Sequence, residues 1–207
     1  MKLRYLGLSL LCSVLLQANV LEKKALITIG EKSFEVPMGE KSSIEIEKKT
    51  YPIMVKEAPI STFNYDLIRF DFPSHFSFSY DGSSEADGLK MYSIDGDSIA
   101  VMVMDYAQHF QKEVILNSIT QEYRLMKAKI EQKPVTLKLG DGSSIQGDQF
   151  IIYLGNVTLS QEIYVLYMQG HSLVLLLQDL IDNQGKHTAE YAEIVSKVKE
   201  TLTFKKK

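Results

Sequence analysis

Four histidines, His75, His109, His171 and His187, supply every imidazole that could bind a metal or move a proton, and the chain has one Cys and no Trp. Each falls in a different stretch, and none stands in a His-x3-His or His-Glu-x-x-His spacing, the patterns that bring two ligands to one helix face. A metal centre would need them to converge through folding. The simpler reading makes them polar surface residues, with His171 in a turn at 169–172 and His187 near the start of the last helix. Ser-His-Asp catalysis lacks a nucleophile: there is no Gly-x-Ser-x-Gly, and Ser74 and His75 are neighbours in an extended segment. Adjacent strand residues point to opposite faces, so these two cannot bond each other as nucleophile and base. Asp81, Glu85 and Asp87, with Asp95 and Asp97 nearby, could gather oxygen ligands for a weak extracellular Ca²⁺ site, but the spacing is not that of an EF-hand and suits solvated turns. No catalytic residue, metal or cofactor is expected, and the chain reads as a non-enzyme.

Tyrosine is the more suggestive residue type. There are eleven, among them Tyr153, Tyr164, Tyr167 and Tyr191. Packing with hydroxyls at the rim accounts for them in the ordinary way. If Tyr153, Tyr164 and Tyr167 share an exposed sheet face, they form a candidate interface, because Tyr is enriched at binding hot spots. Asn156-Val157-Thr158 fits the N-glycosylation pattern, which matters only in a eukaryotic secretory host.

Residues 1–18 read as a secretory leader: Lys2 and Arg4 precede an apolar run from Leu6 to Leu16, then Gln17 and the small Ala18, after which cleavage is expected. The run is far shorter than the ~20 residues a spanning helix needs. Cys12 lies inside it, but Leu11 rather than a small residue precedes it and the apolar stretch continues beyond, which argues against lipoprotein processing. Leader removal leaves a mature chain with no Cys and no membrane span, and therefore no disulfide or thiolate ligand. The expected location is periplasmic or secreted. Over 207 residues, 45% hydrophobic and 24% charged with mean hydropathy −0.07, the composition is that of a folded globular domain. The net charge of −3 carries no footprint for nucleic acid and favours a basic partner.

The elements that would position these residues follow from periodicity. Alternation over Ala25–Val55 (Ile27 and Ile29, Phe34 and Val36, Ile44 and Ile46, Ile53 and Val55) predicts a small β-meander forming an N-terminal extension over 19–58. Pro59 marks the boundary of a second domain, 59–204, ahead of a basic tail, 205–207. Leu67–Phe78 reads as strand, bend at Pro73, strand. Leu89–Ile94 and Ile99–Met104 form a hairpin about Asp95-Gly96. Ile115, Ile119, Tyr123, Met126 and Ile130 recur at helical spacing, predicting a helix from Gln108 to Ile130 that Lys133-Pro134 ends. Four antiparallel strands follow, over 135–139, 149–154, 163–168 and 173–178. The last, Leu173–Leu177, is continuously apolar and suits a central strand covered on both faces. Thr188–Leu202 carries Tyr191, Ala192, Val195, Val198 and Leu202 on the stripe of a closing helix.

Phe70-Asp71-Phe72-Pro73 leading into a hairpin, the helix after Gln108, the meander containing Gly147 and Gly170, and a last helix ending in Thr201-Leu202-Thr203-Phe204 resemble the PsbP-like superfamily over residues 63–204. That group includes the extrinsic PsbP protein of photosystem II, the Ran-binding factor Mog and periplasmic DcrB-type proteins. The usual Gly-Trp after the first Pro is replaced here by Ser74-His75-Phe76, and residues 22–58 lie outside the resemblance. The resemblance implies an α+β fold in which an antiparallel sheet is flanked by two amphipathic helices as an α/β/α sandwich, acting as a binding or assembly module without a shared catalytic site.

The expected function is thus an exported, non-enzymatic module working through contacts with an envelope protein partner. The alternative is a periplasmic small-ligand or lipid-binding protein with an apolar pocket between sheet and helix.

Overall fold

The computed structural model describes residues 24–56 and 58–205, so the leader and Cys12 lie outside the described residues. The chain divides into two compact units at Pro59 and Ile60. In the first, β1 (Lys24–Ile29) pairs with β2 (Lys32–Pro37) and β3 (Lys41–Ile46) with β4 (Lys49–Met54). The meander expected there is two separate two-stranded sheets. They touch through a parallel bridge between Met38 and Val55, where the Gly39 amide donates to the Val55 carbonyl at 2.7 Å.

The second unit begins with β5 (Ile60–Asn64), β6 (Ile68–Pro73), β7 (Ser77–Asp81), β8 (Leu89–Asp95) and β9 (Ile99–Tyr106). It continues with α1 (Lys112–Leu125), β10 (Lys129–Lys138), β11 (Ser144–Leu154), β12 (Val157–Met168), β13 (His171–Ile181), α2 (Ala189–Thr201) and β14 (Thr203–Phe204). Seven strands form one antiparallel sheet in the order β10-β11-β12-β13-β9-β8-β7, and a separate antiparallel sheet has the order β14-β6-β5. The α+β sandwich with two flanking helices is therefore incorrect. The chain is mostly antiparallel β, 57% strand against 17% helix, distributed over several sheets.

Three physical causes account for the difference. Strands β10 to β13 run 10 to 12 residues, because pairing continues through the polar stretches 144–149, 157–162 and 178–181 where the apolar pattern fades. Helix α1 stops at Leu125: Lys127 adopts a left-handed φ of 59°, the chain reverses, and Ile130 belongs to β10 rather than to a helical stripe. Pro134, expected to end the helix, sits inside β10, a marginal strand where its missing amide is tolerated. Finally, the sheet face expected to carry only a helix packs against β5 and β6 as well as α2.

Two buried clusters hold this unit together, one on each face of β9 and β13. Val101, Val103, Leu173, Leu175 and Leu177 face Phe63, Ile68, Phe70 and the α2 residues Ile194, Val195 and Val198. Met102, Met104, Val174 and Leu176 meet Phe150, Ile152 and the α1 residues Ile115 and Leu116. Leu173–Leu177 is buried on both sides, as a central strand requires. Helix α2 starts where Thr188 caps it, the side-chain oxygen accepting the Tyr191 amide at 3.2 Å.

Candidate functional site

The seven-stranded sheet has two margins of opposite character. Margin β10 carries Lys129, Lys133, Lys138 and Pro134, the charges and proline that discourage another strand from pairing with an edge. Margin β7 is Ser77-Phe78-Ser79-Tyr80-Asp81, with no Lys and no Pro and every residue exposed. Phe78 is 54% and Tyr80 46% exposed, and both lie on the face that carries Tyr92.

Those rings continue inward as one aromatic cluster. The Tyr80 and Tyr92 centroids stack 5.0 Å apart, Phe63 of β5 lies 5.4 Å from Tyr92 and 6.2 Å from Phe78, and Tyr65 lies 4.9 Å from Tyr92. The surface is thus a rigid aromatic shelf on core residues, bordered by acid. Asp81 ends β7, and Glu85 and Asp87 follow in a single 3-10 turn at Glu85–Asp87. The Tyr80 hydroxyl donates to Glu85 at 2.9 Å, and Lys90 approaches Glu85 at 3.4 Å. The bond to Glu85 raises the Tyr80 hydroxyl to about 12, and the same contact holds the Glu85 carboxyl below its usual range.

Tyr65, between β5 and β6, is pinned from behind. Its hydroxyl donates to Asp105 Oδ2 at 2.6 Å, and His171 Nδ1 lies 2.8 Å from Asp105 Oδ1. Asp105 is buried, so both donors serve to satisfy its charge. Burial, followed by the bond to Asp105, pushes the Tyr65 hydroxyl far above the ordinary tyrosine value. The adjacent Ser172 hydroxyl is occupied, accepting the Phe110 amide at 2.8 Å. The cluster anchors the shelf and offers no free nucleophile.

The residues singled out from sequence are dispersed. Tyr153 and Tyr167 are exposed, but Tyr164 is wholly buried, its hydroxyl donating to Glu162 at 2.6 Å. Along β12, Tyr167 shares parity with Ile163 and Val165, opposite to Tyr164, so the three share no surface. Tyr167 packs on the His109 ring at 4.4 Å, and His75 sits 3.8 Å from Glu193 on the surface. His187 Nδ1 bonds buried Asp179 at 2.9 Å. Asn156 lies exposed in the β11–β12 turn.

Asp81 accepts the Ser83 amide, Asp95 the Ser93 hydroxyl, and Glu85 the Tyr80 hydroxyl, so these oxygens serve their own turns. Among the described residues no group of three or more His, Cys, Asp or Glu is placed to hold a metal ion, and no helix is long and apolar enough to cross a membrane. Sequence reasoning missed Phe78 and Tyr80 as surface residues. The available signal was alternation with serine in a run without Lys or Pro. No protein-family model matches the chain, and no curated protein matches it.

Proposed function

We propose that this chain is an exported, non-enzymatic binding or assembly module acting through protein contacts in the cell envelope, and that its partner lays an extended basic segment along β7. One observation carries the reading: among the described residues β7 is an unpaired margin that lacks the guards of β10 and presents Phe78 and Tyr80 beside Asp81, Glu85 and Asp87. Strand addition supplies main-chain hydrogen bonds, alternate side chains of the incoming strand meet the aromatic shelf, and the acidic border selects Lys or Arg. The leader-like residues 1–18 support export. The resemblance to PsbP-like proteins agrees with a binding role, but the sheet arrangement departs from the sandwich it implies, so the margin and not the resemblance bears the weight.

The test is a photo-reactive amino acid placed at Ser79 in the full chain, expressed in its own cells. A discrete cross-linked envelope protein is expected, with the cross-link mapped to a Lys- or Arg-containing segment and lost in Phe78→Lys. Cross-links only to a second copy of the chain, or to the same protein with Phe78→Lys, would overturn it.

A further inference from the structure

Away from β7, on the face shared with α2, the large sheet changes character along its length. Pairing across β10, β11, β12 and β13 sets Lys133, Gln149, Glu162 and Leu177 in one row, Glu131, Ile151, Ser160 and Asp179 in the next, and Lys129, Tyr153, Thr158 and Ile181 in a third. Adjacent strands lie about 4.8 Å apart, so these rows make a floor of mixed polar and apolar side chains at the margin of the core, with Ile151 and Ile181 among the polar groups. The loop 182–187 rises beside it. Floor and loop enclose an open groove of about 860 Å³, lined by Lys133, Gln149, Tyr153, Thr158, Asn183 and His187 among others. No helix residue lines it and its walls are mostly polar, so it is not the apolar pocket between sheet and helix that the sequence had offered as an alternative.

The groove is built on a satisfied foundation. Glu162, buried, accepts hydroxyl bonds from Tyr164 at 2.6 Å and Tyr191 at 2.7 Å. Asp179, fully buried, accepts the Thr188 amide at 3.0 Å and the Thr188 hydroxyl at 2.7 Å. A carboxylate already accepting two protons from Thr188 makes His187 Nδ1 the donor in their 2.9 Å contact. In the neutral ring this leaves Nε2 as an acceptor. The His187 ring is held flat against Tyr191, centroids 3.9 Å apart.

Above this foundation some hydrogen-bonding groups are spent, Gln149 donating to Ser160 at 2.9 Å and Tyr153 to Glu131 at 3.3 Å, and others are not. Among the described residues, the side chains of Lys133, Asn156, Thr158, Asn183 and Gln184 make no hydrogen bond, and all five line the groove. Asp182, the acid in the loop, is consumed by the Gln184 and Lys186 amides. Three amides and a hydroxyl each donate and accept, which matches ligand groups that also do both. Charge favours neither kind of ion. Two buried carboxylates under the floor, without Lys or Arg partners, oppose an anion, while Lys133 in the groove wall opposes a cation, and the outlying Lys129 is paired with Glu131 at 2.6 Å. Tyr153, 38% exposed, adds an aromatic ring at the rim, with Lys129 Nζ 5.0 Å from its centroid and its hydroxyl donating to Glu131 at 3.3 Å.

We infer that this groove is a binding site for a neutral polyhydroxylated ligand of mono- or disaccharide size, with Asn156, Thr158, Asn183 and Gln184 bonding its hydroxyls and His187 Nε2 accepting one of them. The volume lies within the range of small-ligand sites.

The experiment is side-chain amide NMR of the full chain against a panel of neutral hexoses, N-acetylhexosamines and their disaccharides at millimolar concentration, with inorganic phosphate and spermidine as charged probes. At least one neutral saccharide should shift the Asn156, Asn183 and Gln184 amide signals in a saturable way. Asn183→Ala, on an exposed loop, should weaken that binding about tenfold. Shifts produced by phosphate or spermidine but by no sugar would assign the groove to a charged ligand and overturn the inference. So would an unresponsive set of amides across the panel, or affinity unchanged in Asn183→Ala.

Discussion

Buried carboxylates without cations set the strongest constraints at the scale of single residues. Glu162 is buried, and its two carboxyl oxygens accept from two tyrosine hydroxyls. Tyr164→Phe removes one of them without changing shape. We expect a loss of about 1–3 kcal/mol, read as a lower urea midpoint at constant slope. The same hydroxyl fixes a pH dependence. Burial, then the bond to Glu162, pushes the Tyr164 hydroxyl far above 10, so the native chain keeps a proton that the unfolded chain releases. The unfolded state then binds fewer protons, and stability, intact below about pH 10, falls as pH rises beyond it, by at most about 1.4 kcal/mol per pH unit for this group. The decline should be shallower in Tyr164→Phe; an identical alkaline slope in the two proteins would refute the assignment. Gly147 serves the same tyrosine. A Cβ there would stand 2.6 Å from both the Ile163 carbonyl oxygen and the Tyr164 ring, so Gly147→Ala should cost about 1–3 kcal/mol through overpacking.

Helix α2 is joined to the β8–β9 turn chiefly through Glu190, with a further bond from the Ser98 hydroxyl to its N-cap Thr188 at 3.1 Å, which makes its first turn an acid-sensitive element. Glu190 accepts the Ser98 amide at 2.8 Å, the Ser98 hydroxyl at 2.5 Å and the Asp97 amide at 3.2 Å. Burial acts to raise its carboxyl, but the Ser98 and Asp97 donors outweigh that and hold it below the usual 4.5. A depressed folded value contributes stability above the unfolded value and loses it as pH falls through the folded one. Amide protection in the first turn of α2 should therefore drop on acidification below about pH 4.5, and Glu190→Gln should remove that step while lowering protection at neutral pH. Helix α2 was legible because its N-cap, stripe and first turn agree. Helix α1 was legible only as far as Leu125, because Met126 and Ile130 continue a helical spacing by coincidence while Lys127 turns the chain. Lys127→Gly, relieving a left-handed φ of 59°, should stabilise by about 0.5–1 kcal/mol and raise the melting temperature. Strand β5 was not legible at all. Its run Ile60-Ser61-Thr62-Phe63-Asn64 has one buried apolar residue and follows Pro59, and only pairing with β6 makes it a strand.

For the whole molecule, what decides function is which strand lies at which margin, and that is nonlocal. Strand β9 pairs with β13 across most of the domain, and this pairing leaves β7 at the outside. Alternation with serine around Phe78 signals a strand with one polar face, but no window of sequence there says that the strand lies at a margin, whereas the burial of Leu173–Leu177 is legible locally. The division of the chain at Pro59 has a different basis and a direct consequence. Both hydrophobic clusters draw every member from Phe63 onward, while over 25–56 Val36 and Ile44 are the buried apolar residues and Leu26 is 69% exposed. Two-stranded hairpins with so little core are marginal on their own in water. Residues 60–207 should therefore fold as an isolated fragment, with a melting temperature within about 4 °C of the full chain's, a shift worth about 1–2 kcal/mol at this size. Limited proteolysis of the full chain should cut within 24–59 before it cuts elsewhere in 24–205 and leave a product starting near Ile60, because local opening is cheapest where apolar contacts are fewest. A fragment that fails to fold, or first cuts inside β10–β13, would refute the independent stability of the larger unit.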